Sequence, residues 1–192
     1  MGRIVISTNS SLDGIVEDPD GGEGFALGGW FNRVEAADLR AWAEVASAET
    51  SGTAALLLGR RSDEWFAARW TTRDGGWADS MNGLPKYVVS ATLDKPRWTN
   101  ATLLVGDAVT EVSRLKREVD GDIVVYASYR LGQTLLEHDL VDELRLVIFP
   151  VVIGAGRRLF GETGNAKPMR LISTRTLGAN LNLVTYRPIP TV

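Results

Sequence analysis

The chain has 192 residues and a formal net charge of −3, with 44% apolar and 23% charged side chains; this suits one globular domain with a sizeable core. Its slightly acidic balance offers no electrostatic footprint for nucleic acid or for an anionic membrane. There is no cysteine, and His138 is the only histidine, so disulfides, thiolate nucleophiles, cysteine metal sites and multi-histidine metal centres are excluded. No apolar run approaches the roughly 20 residues needed to span a bilayer. Arg3-Ile4-Val5-Ile6-Ser7 has the pattern of a strand, not of a signal peptide. The expectation is a cytoplasmic single domain over residues 1–192, with no metal and no membrane or nucleic-acid partner.

Arg3–Thr8 is a β-branched run that predicts a central strand. It leads into Ser11-Leu12-Asp13-Gly14-Ile15-Val16-Glu17 and then Asp18-Pro19-Asp20-Gly21-Gly22, whose Gly, Pro and Asp content predicts a loop long enough to act as a mobile flap. Glu17, Asp18 and Asp20 read as solvating that loop. Trp30 and Phe31 either cover a ligand or belong to the core, the commoner place for an aromatic. Glu35–Thr50 is a helix by composition, with Leu39, Trp42, Val45 and Ala46 at helical spacing and Gly52 as its stop.

Ala54–Leu58 predicts a buried strand, Gly59 a turn and Ser62–Arg69 a short helix. Thr71–Gly83 is polar and glycine-containing and reads as a connection. Strands follow at Pro85–Ser90 and Thr102–Val105, a helix at Ala108–Val119, a strand at Asp122–Tyr126 and a helix at Leu131–His138. Val141–Phe149 is a long strand stopped by Pro150, and Met169–Leu177 with Leu181–Tyr186 form a hairpin across Gly178-Ala179-Asn180. Helices alternate with strands through the first two thirds, and strands alone finish the chain. That order predicts an α/β fold whose sheet is mostly parallel early and antiparallel at its C-terminal edge.

In open α/β sheets, ligands bind beyond the carboxyl ends of the strands. One such end carries Gly59-Arg60-Arg61-Ser62, where a helix N-terminus and two guanidiniums form a natural anion site. The next presents Ser90-Ala91-Thr92. A third presents Ala127-Ser128-Tyr129-Arg130-Leu131-Gly132, small residues opening a helix and so a second phosphate-sized N-terminus. Two phosphate sites with arginines and hydroxyls between them suit a dinucleotide that carries an extra phosphate. Gly154-Ala155-Gly156 is not a dinucleotide fingerprint, because its third glycine is misplaced and no helix follows a strand there. No Gly-Lys-Ser/Thr phosphate loop supports ATP chemistry.

Taken together, several blocks resemble a known family. Leu56-Leu57-Leu58-Gly59-Arg60-Arg61-Ser62, Leu84-Pro85-Lys86-Tyr87-Val88-Val89-Ser90 and Leu140-Val141-Asp142-Glu143-Leu144 look like the reductase domain of bacterial bifunctional riboflavin-biosynthesis deaminase–reductases, in the superfamily of dihydrofolate reductase. Ser11-Leu12-Asp13-Gly14 and Pro150-Val151-Val152-Ile153-Gly154-Ala155-Gly156-Arg157-Arg158-Leu159-Phe160 fit as well, and the blocks occur in family order across nearly the whole chain. The resemblance implies a dihydrofolate-reductase-like three-layer fold with helices on both faces of a mixed sheet, NADPH as cofactor, and a homodimer, for which the terminal strands are candidates.

It further implies that Gly59, Arg60, Arg61 and Ser62 cradle phosphate. Ser90 would lie near the adenosine 2′-phosphate with Thr92 in reach, and Ala127, Ser128 and Leu131 under the pyrophosphate. The sequence departs from the family at Ala127, where glycine is usual, and at the bulkier Tyr129 and Arg130; Arg130 would offset the crowding methyl with positive charge. The deaminase zinc signature needs Cys-x-x-Cys, which a chain without cysteine does not contain.

Hydride transfer also needs a proton source. Asp13, in the flap after the first strand, is the better candidate, although Asp-Gly is also a common turn pair. Asp38 resembles the buried acid on the first helix of dihydrofolate reductases, or else is a solvated first-turn aspartate. His138 is expected to have no catalytic role. The leading expectation is an NADPH-dependent reductase of a small nitrogen heterocycle, of the kind that reduces a ribosylamino-pyrimidine to its ribityl form. A dihydrofolate or pterin reductase is the alternative, and a nucleotide-binding or scaffold protein without chemistry a third.

Overall fold

In the computed structural model, which describes residues 1–161 and 166–190, eight strands alternate with helices in the order β1 (Arg3–Ser11), α1 (Ala36–Gly52), β2 (Thr53–Gly59), α2 (Arg60–Trp70), α3 (Gly76–Gly83), β3 (Lys86–Val89), β4 (Ala101–Leu104), α4 (Ala108–Glu118), β5 (Asp122–Tyr126), α5 (Tyr129–Glu137), β6 (Glu143–Phe149), β7 (Met169–Leu177) and β8 (Leu181–Pro188). The strand order is β4-β3-β2-β5-β1-β6-β8-β7. β2 pairs parallel with β3 and with β5, and β3 parallel with β4. β8 pairs antiparallel with both β6 and β7. The expected early-parallel, late-antiparallel sheet is what the chain forms.

The chain divides into two compact units, one of residues 1–6 and 47–142, the other of residues 7–46 and 143–192. In the first, β2 is buried along almost its whole length, which is why Ala55-Leu56-Leu57-Leu58 reads as an unbroken apolar run instead of an alternating one. Its core gathers Leu56, Leu58, Val88 and Val124 with Trp70, Met81 and Trp98, and Phe66 stacks on Trp98 at 5.2 Å between ring centroids. α3 departs from the sequence expectation of a loop. Its glycines at both ends disguise a helix whose Ala78 and Met81 are buried and whose Trp77 packs edge-on against Trp70 at 5.1 Å; tertiary burial overrides weak local propensity here.

Buried polar groups in this unit are tied to the backbone. Asp63, in the first turns of α2, is fully buried and accepts the N–H groups of Arg97 and Trp98 at 2.6 and 3.1 Å. Lys86 is also buried. Its Nζ donates to the carbonyls of Asn82 and Leu84 at 2.9 and 2.7 Å and lies 4.5 Å from the centroid of the Trp98 ring. Burial pushes the Lys86 ammonium down to about 8, against the opposing pull of the Asp63 carboxylate.

The second unit has its own core, formed by Trp30, Val147, Phe149, Leu177 and Leu181 with Phe31, Trp42 and Val45 packed against them. Trp30 is fully buried and meets Phe149 edge-on at 5.4 Å, so the Trp30–Phe31 pair is core and not a ligand cover. The expected flap is organised from within by Asp18, which the sequence assigned to solvation. Asp18 is only 2% exposed; its carboxylate accepts the N–H groups of Glu23 and Phe25, both at 2.9 Å, and its carbonyl that of Gly29 at 3.0 Å. A Cβ on Gly28 would stand 2.6 Å from the Asp18 carboxylate, which accounts for the glycine there.

Replacing Asp63 by alanine orphans two backbone donors, at about 1–3 kcal/mol each. Urea denaturation is expected to show a loss in that range for Asp63→Ala and a smaller one for Asp63→Asn, which keeps one acceptor; an alanine variant as stable as the parent would show that water replaces the carboxylate.

Candidate functional site

Three of the expected site segments fall in the first unit and at the carboxyl ends of neighbouring strands. β3, β2 and β5 run parallel and side by side, and their carboxyl ends present Ser90, Gly59 with Arg60, and Ala127 respectively. Two helices, α2 and α5, start at two of those ends. Their N-terminal N–H groups and dipoles favour an anion.

Short hydrogen bonds hold the two helix starts together. The Gly59 N–H donates to Ser128 Oγ at 3.0 Å. The Ser128 hydroxyl donates to Ser62 Oγ at 2.8 Å, and the Ser128 N–H donates to the same oxygen at 3.1 Å. Ser62 therefore accepts twice and retains its own O–H to donate. Ser90 is arranged alike: its oxygen accepts the N–H groups of Thr92 and Leu93 at 3.2 and 3.1 Å, leaving one hydroxyl hydrogen to give.

Gly59 has no packing reason to be glycine. Its φ of −85° is open to any residue, and a Cβ built there would meet only Ser128 Oγ, at 3.9 Å. The missing side chain leaves bare backbone beside the start of α2, which fits close approach of a phosphate. Ala127 and Ser128 both adopt left-handed conformations, with φ of 51° and 48°. Two successive non-glycine residues in that region cost about 1–2 kcal/mol each, so the turn keeps a glycine-type backbone despite the alanine methyl.

Arg60 is half exposed and pairs with Glu64 one turn on, at 3.3 Å, a surface pair of small energetic worth. Arg61 is exposed. Arg130 folds onto its neighbour, its Nε donating to the Tyr129 hydroxyl at 3.1 Å. The Leu131 side chain is buried, so only its backbone is available to a ligand, and Thr92 is exposed.

The two acids singled out for catalysis lie in the second unit, and both are engaged by backbone. Asp13 Oδ1 accepts the Ser11 hydroxyl at 2.7 Å and the Ile153 N–H at 3.1 Å, and Oδ2 accepts the Gly154 N–H at 2.8 Å. The Ser11 hydroxyl, then those two N–H groups, lower its carboxyl to about 2. The Arg158 guanidinium donates to the Asp13 carbonyl. Gly154 and Gly156, with φ of 85° and 119°, form the tight connection that receives this carboxylate.

Asp38 is buried, not solvated. Its carboxylate accepts the Ala179 N–H at 2.7 Å, the Asn180 N–H at 3.3 Å and the Asn180 side-chain amide at 2.9 Å. The Asn180 amide, followed by the Ala179 N–H, holds its carboxyl below the usual range. Gly178 is required at this turn, because its φ is +60° and a Cβ would collide with the Asp38 carboxylate. Both groups are ionised acceptors that fasten distant turns, and neither holds a proton to give near neutral pH. Nothing local in the sequence signals these partners, which lie about 140 residues away.

Among the described residues, no helix is long and apolar enough to cross a membrane.

The family model described as the RibD C-terminal domain matches residues 3–183. The uncharacterized protein YyaP of Bacillus subtilis (strain 168) is 33% identical over 102 residues, 53% of this chain and 53% of YyaP; the aligned stretches thus span about half the length of the curated relatives that the chain matches. Among solved structures, a putative riboflavin biosynthesis protein from Shewanella sp. PV-4 is similar with a TM-score of 0.71 at 20% identity, over 98% of this chain and 99% of that one. Dihydrofolate reductase from Enterococcus faecalis, complexed with NADP(H) and RAB-propyl, gives a TM-score of 0.60 at 14% identity, over 97% of this chain and 96% of that one. At these identities the likeness to the solved structures is one of fold.

The Asp13 clamp titrates. Its folded-state carboxyl at about 2 lies below the ordinary aspartate value of 3.8, so the stability it contributes is present above about pH 4 and is lost as pH falls through the folded value. Unfolding midpoints of the parent and of Asp13→Asn should differ at pH 6 and converge between pH 4 and 2; a constant gap would show that Asp13 is not the titrating group.

Proposed function

Because the chain belongs to the RibD C-terminal domain family, we propose that it is an NADPH-dependent reductase of a small nitrogen heterocycle. The reading is carried by one observation: two helix starts at adjacent parallel strand ends, stitched by Ser62 and Ser128 beside the bare backbone of Gly59. Gly59, Ser62, Ala127, Ser128 and the backbone of Leu131 hold the pyrophosphate. Arg60 and Arg61 divide the pyrophosphate and the adenosine 2′-phosphate between them, Ser90 and Thr92 lie by the 2′-phosphate, and Arg130 adds positive charge at the second turn. The Ser62 and Ser90 hydroxyls each give their remaining O–H to phosphate oxygen.

NADPH, when bound, supplies a hydride. The substrate class is a ribosylamino-pyrimidine like 5-amino-6-(5-phosphoribosylamino)uracil, reduced to its ribityl form. Asp13 and Asp38 act as positioning residues that fix the 153–154 and 179–180 turns, and the accompanying proton comes from solvent. This weakens the dihydrofolate or pterin alternative, whose candidate acid is committed to the β7–β8 turn. The binding-only alternative draws on the alanine methyl in the left-handed turn at Ala127. The protein is read as a cytoplasmic homodimer acting on a small molecule.

Titration of NADPH and NADH, read by the fluorescence of the six tryptophans, separates these readings, with turnover of the pyrimidine substrate measured alongside. The parent is expected to prefer NADPH. Joint replacement Arg60→Ala and Arg61→Ala removes charge-assisted hydrogen bonds worth about 1.5–3 kcal/mol each and should cost NADPH at least about tenfold more affinity than NADH. Equal losses would place recognition of the 2′-phosphate elsewhere. No binding of either nucleotide would leave the scaffold reading, and binding without turnover would remove the substrate assignment.

A further inference from the structure

The connection from β3 to β4 lies within the first unit and is fastened at both ends. At its start, Ser90 Oγ accepts the N–H groups of Thr92 and Leu93. At its end, the buried Asp63 carboxylate accepts the N–H groups of Arg97 and Trp98, at 2.6 and 3.1 Å. The Trp98 ring lies flat on Phe66 of α2, and its Nε1 donates to Asn82 Oδ1 at 2.7 Å. Pro96 fixes a further backbone angle immediately before Arg97.

This anchorage presents the Arg97 side chain. Arg97 is exposed, and no described residue engages its guanidinium in an ion pair or hydrogen bond. Asp94 and Lys95, both exposed, cancel in charge, so Arg97 supplies the net charge of the loop. Its place follows from two short links. Gly59 and Val89 are partners across β2 and β3, so Arg60 and Ser90 leave the sheet side by side. Arg60 and Asp63 are one helical turn apart, with Cβ atoms about 5–6 Å from each other, and Asp63 holds the Arg97 backbone. Arg60, Ser90 and Arg97 therefore spring from neighbouring points on the β3 side of the candidate site.

We propose that Arg97 is a specificity-determining residue for the adenosine 2′-phosphate, with Asp63 as its positioning residue. The inference rests on the nucleotide site proposed above and deepens it. A phosphate monoester carries about −1.5 to −2 charge at pH 7, more than one guanidinium offsets. Arg60 is partly drawn off by Glu64, whereas Arg97 brings an unengaged fork of donors that matches phosphate oxygens. NADH lacks this phosphate, so Arg97 separates the two nucleotides. Asp63 acts through Arg97: by fixing the backbone of an exposed loop in advance, it lowers the ordering cost of the contact.

Isothermal titration calorimetry of NADPH and NADH tests both roles, and because Arg97 is exposed its variants leave the fold intact. Arg97→Ala should lose at least about tenfold more affinity for NADPH than for NADH. Arg97→Lys, which keeps the charge without the fork, should lose less. Lys95→Ala makes the same change of charge two residues away and should move the NADPH preference by less than about twofold. Asp63→Asn should lower the preference in the parent and leave it unchanged in the Arg97→Ala background, a coupling that general loss of stability does not produce. A preference that survives Arg97→Ala, or that falls equally in Lys95→Ala, would overturn the assignment of Arg97 and leave the nucleotide site standing. An effect of Asp63→Asn that persists without Arg97 would overturn the positioning role. A parent that binds neither nucleotide would overturn the reductase reading and this inference with it.

Discussion

Two chain reversals, 66 to 69 residues apart in sequence, are held at one place by the hydrogen bonds among Gly59, Ser62 and Ser128. The candidate nucleotide site depends on this constraint. Parallel pairing of β2 and β5 brings the two strand ends together, but pairing alone does not fix the loops beyond them. The serine pair does, by using side-chain oxygens to receive N–H groups from the Gly59 and Ser128 turns. Each hydroxyl then serves structure with its lone pairs, and Ser62 keeps its hydrogen for a ligand. Preorganised donors of this kind lower the cost of binding, because the turns are already ordered before an anion arrives.

The aspartates follow a different logic. Asp13, Asp18, Asp38 and Asp63 all receive backbone N–H groups from irregular segments or turns. A carboxylate with several acceptor positions organises an irregular loop more completely than a neutral side chain. At Asp13 and Asp38 the same bonds hold the carboxyl below its usual range, which leaves it unsuited to general-acid work. In this chain, acidic residues near strand and helix ends are mainly devices for fixing loops. The proposed nucleotide site draws on glycine, serine, arginine and helix termini instead.

Much of the fold was legible in the sequence, because β-branched runs and helical spacing are local signals. The unbroken Ala55–Leu58 run marked a buried parallel strand, and Gly178-Ala179-Asn180 marked the β7–β8 turn. The strand-to-helix turns at Gly59-Arg60-Arg61-Ser62 and Ala127-Ser128, proposed to hold phosphate, were legible as turns, since their small residues lie within a few positions of the strand ends. What could not be read was set by distant pairing. α3 is a helix because Ala78 and Met81 find a core, and Asp38 is buried because the turn at Gly178 closes over it. Asp18 looked like a loop solvator since its partners at Glu23 and Phe25 require the loop to fold back on it. The link between Ser62 and Ser128 had no sequence signal beyond two small residues at strand ends.

Amide hydrogen exchange with and without saturating NADPH tests the central claim most directly, because it reports on the backbone donors assigned to the phosphates. Added protection is expected in three separate stretches of the first unit: Leu58–Asp63, Ser90–Thr92 and Ala127–Gly132. The stitched pair, Leu58–Asp63 and Ala127–Gly132, should respond together at the same nucleotide concentration. Protection confined to other segments, or none at a concentration that saturates the tryptophan signal, would contradict the assignment of this site to a dinucleotide.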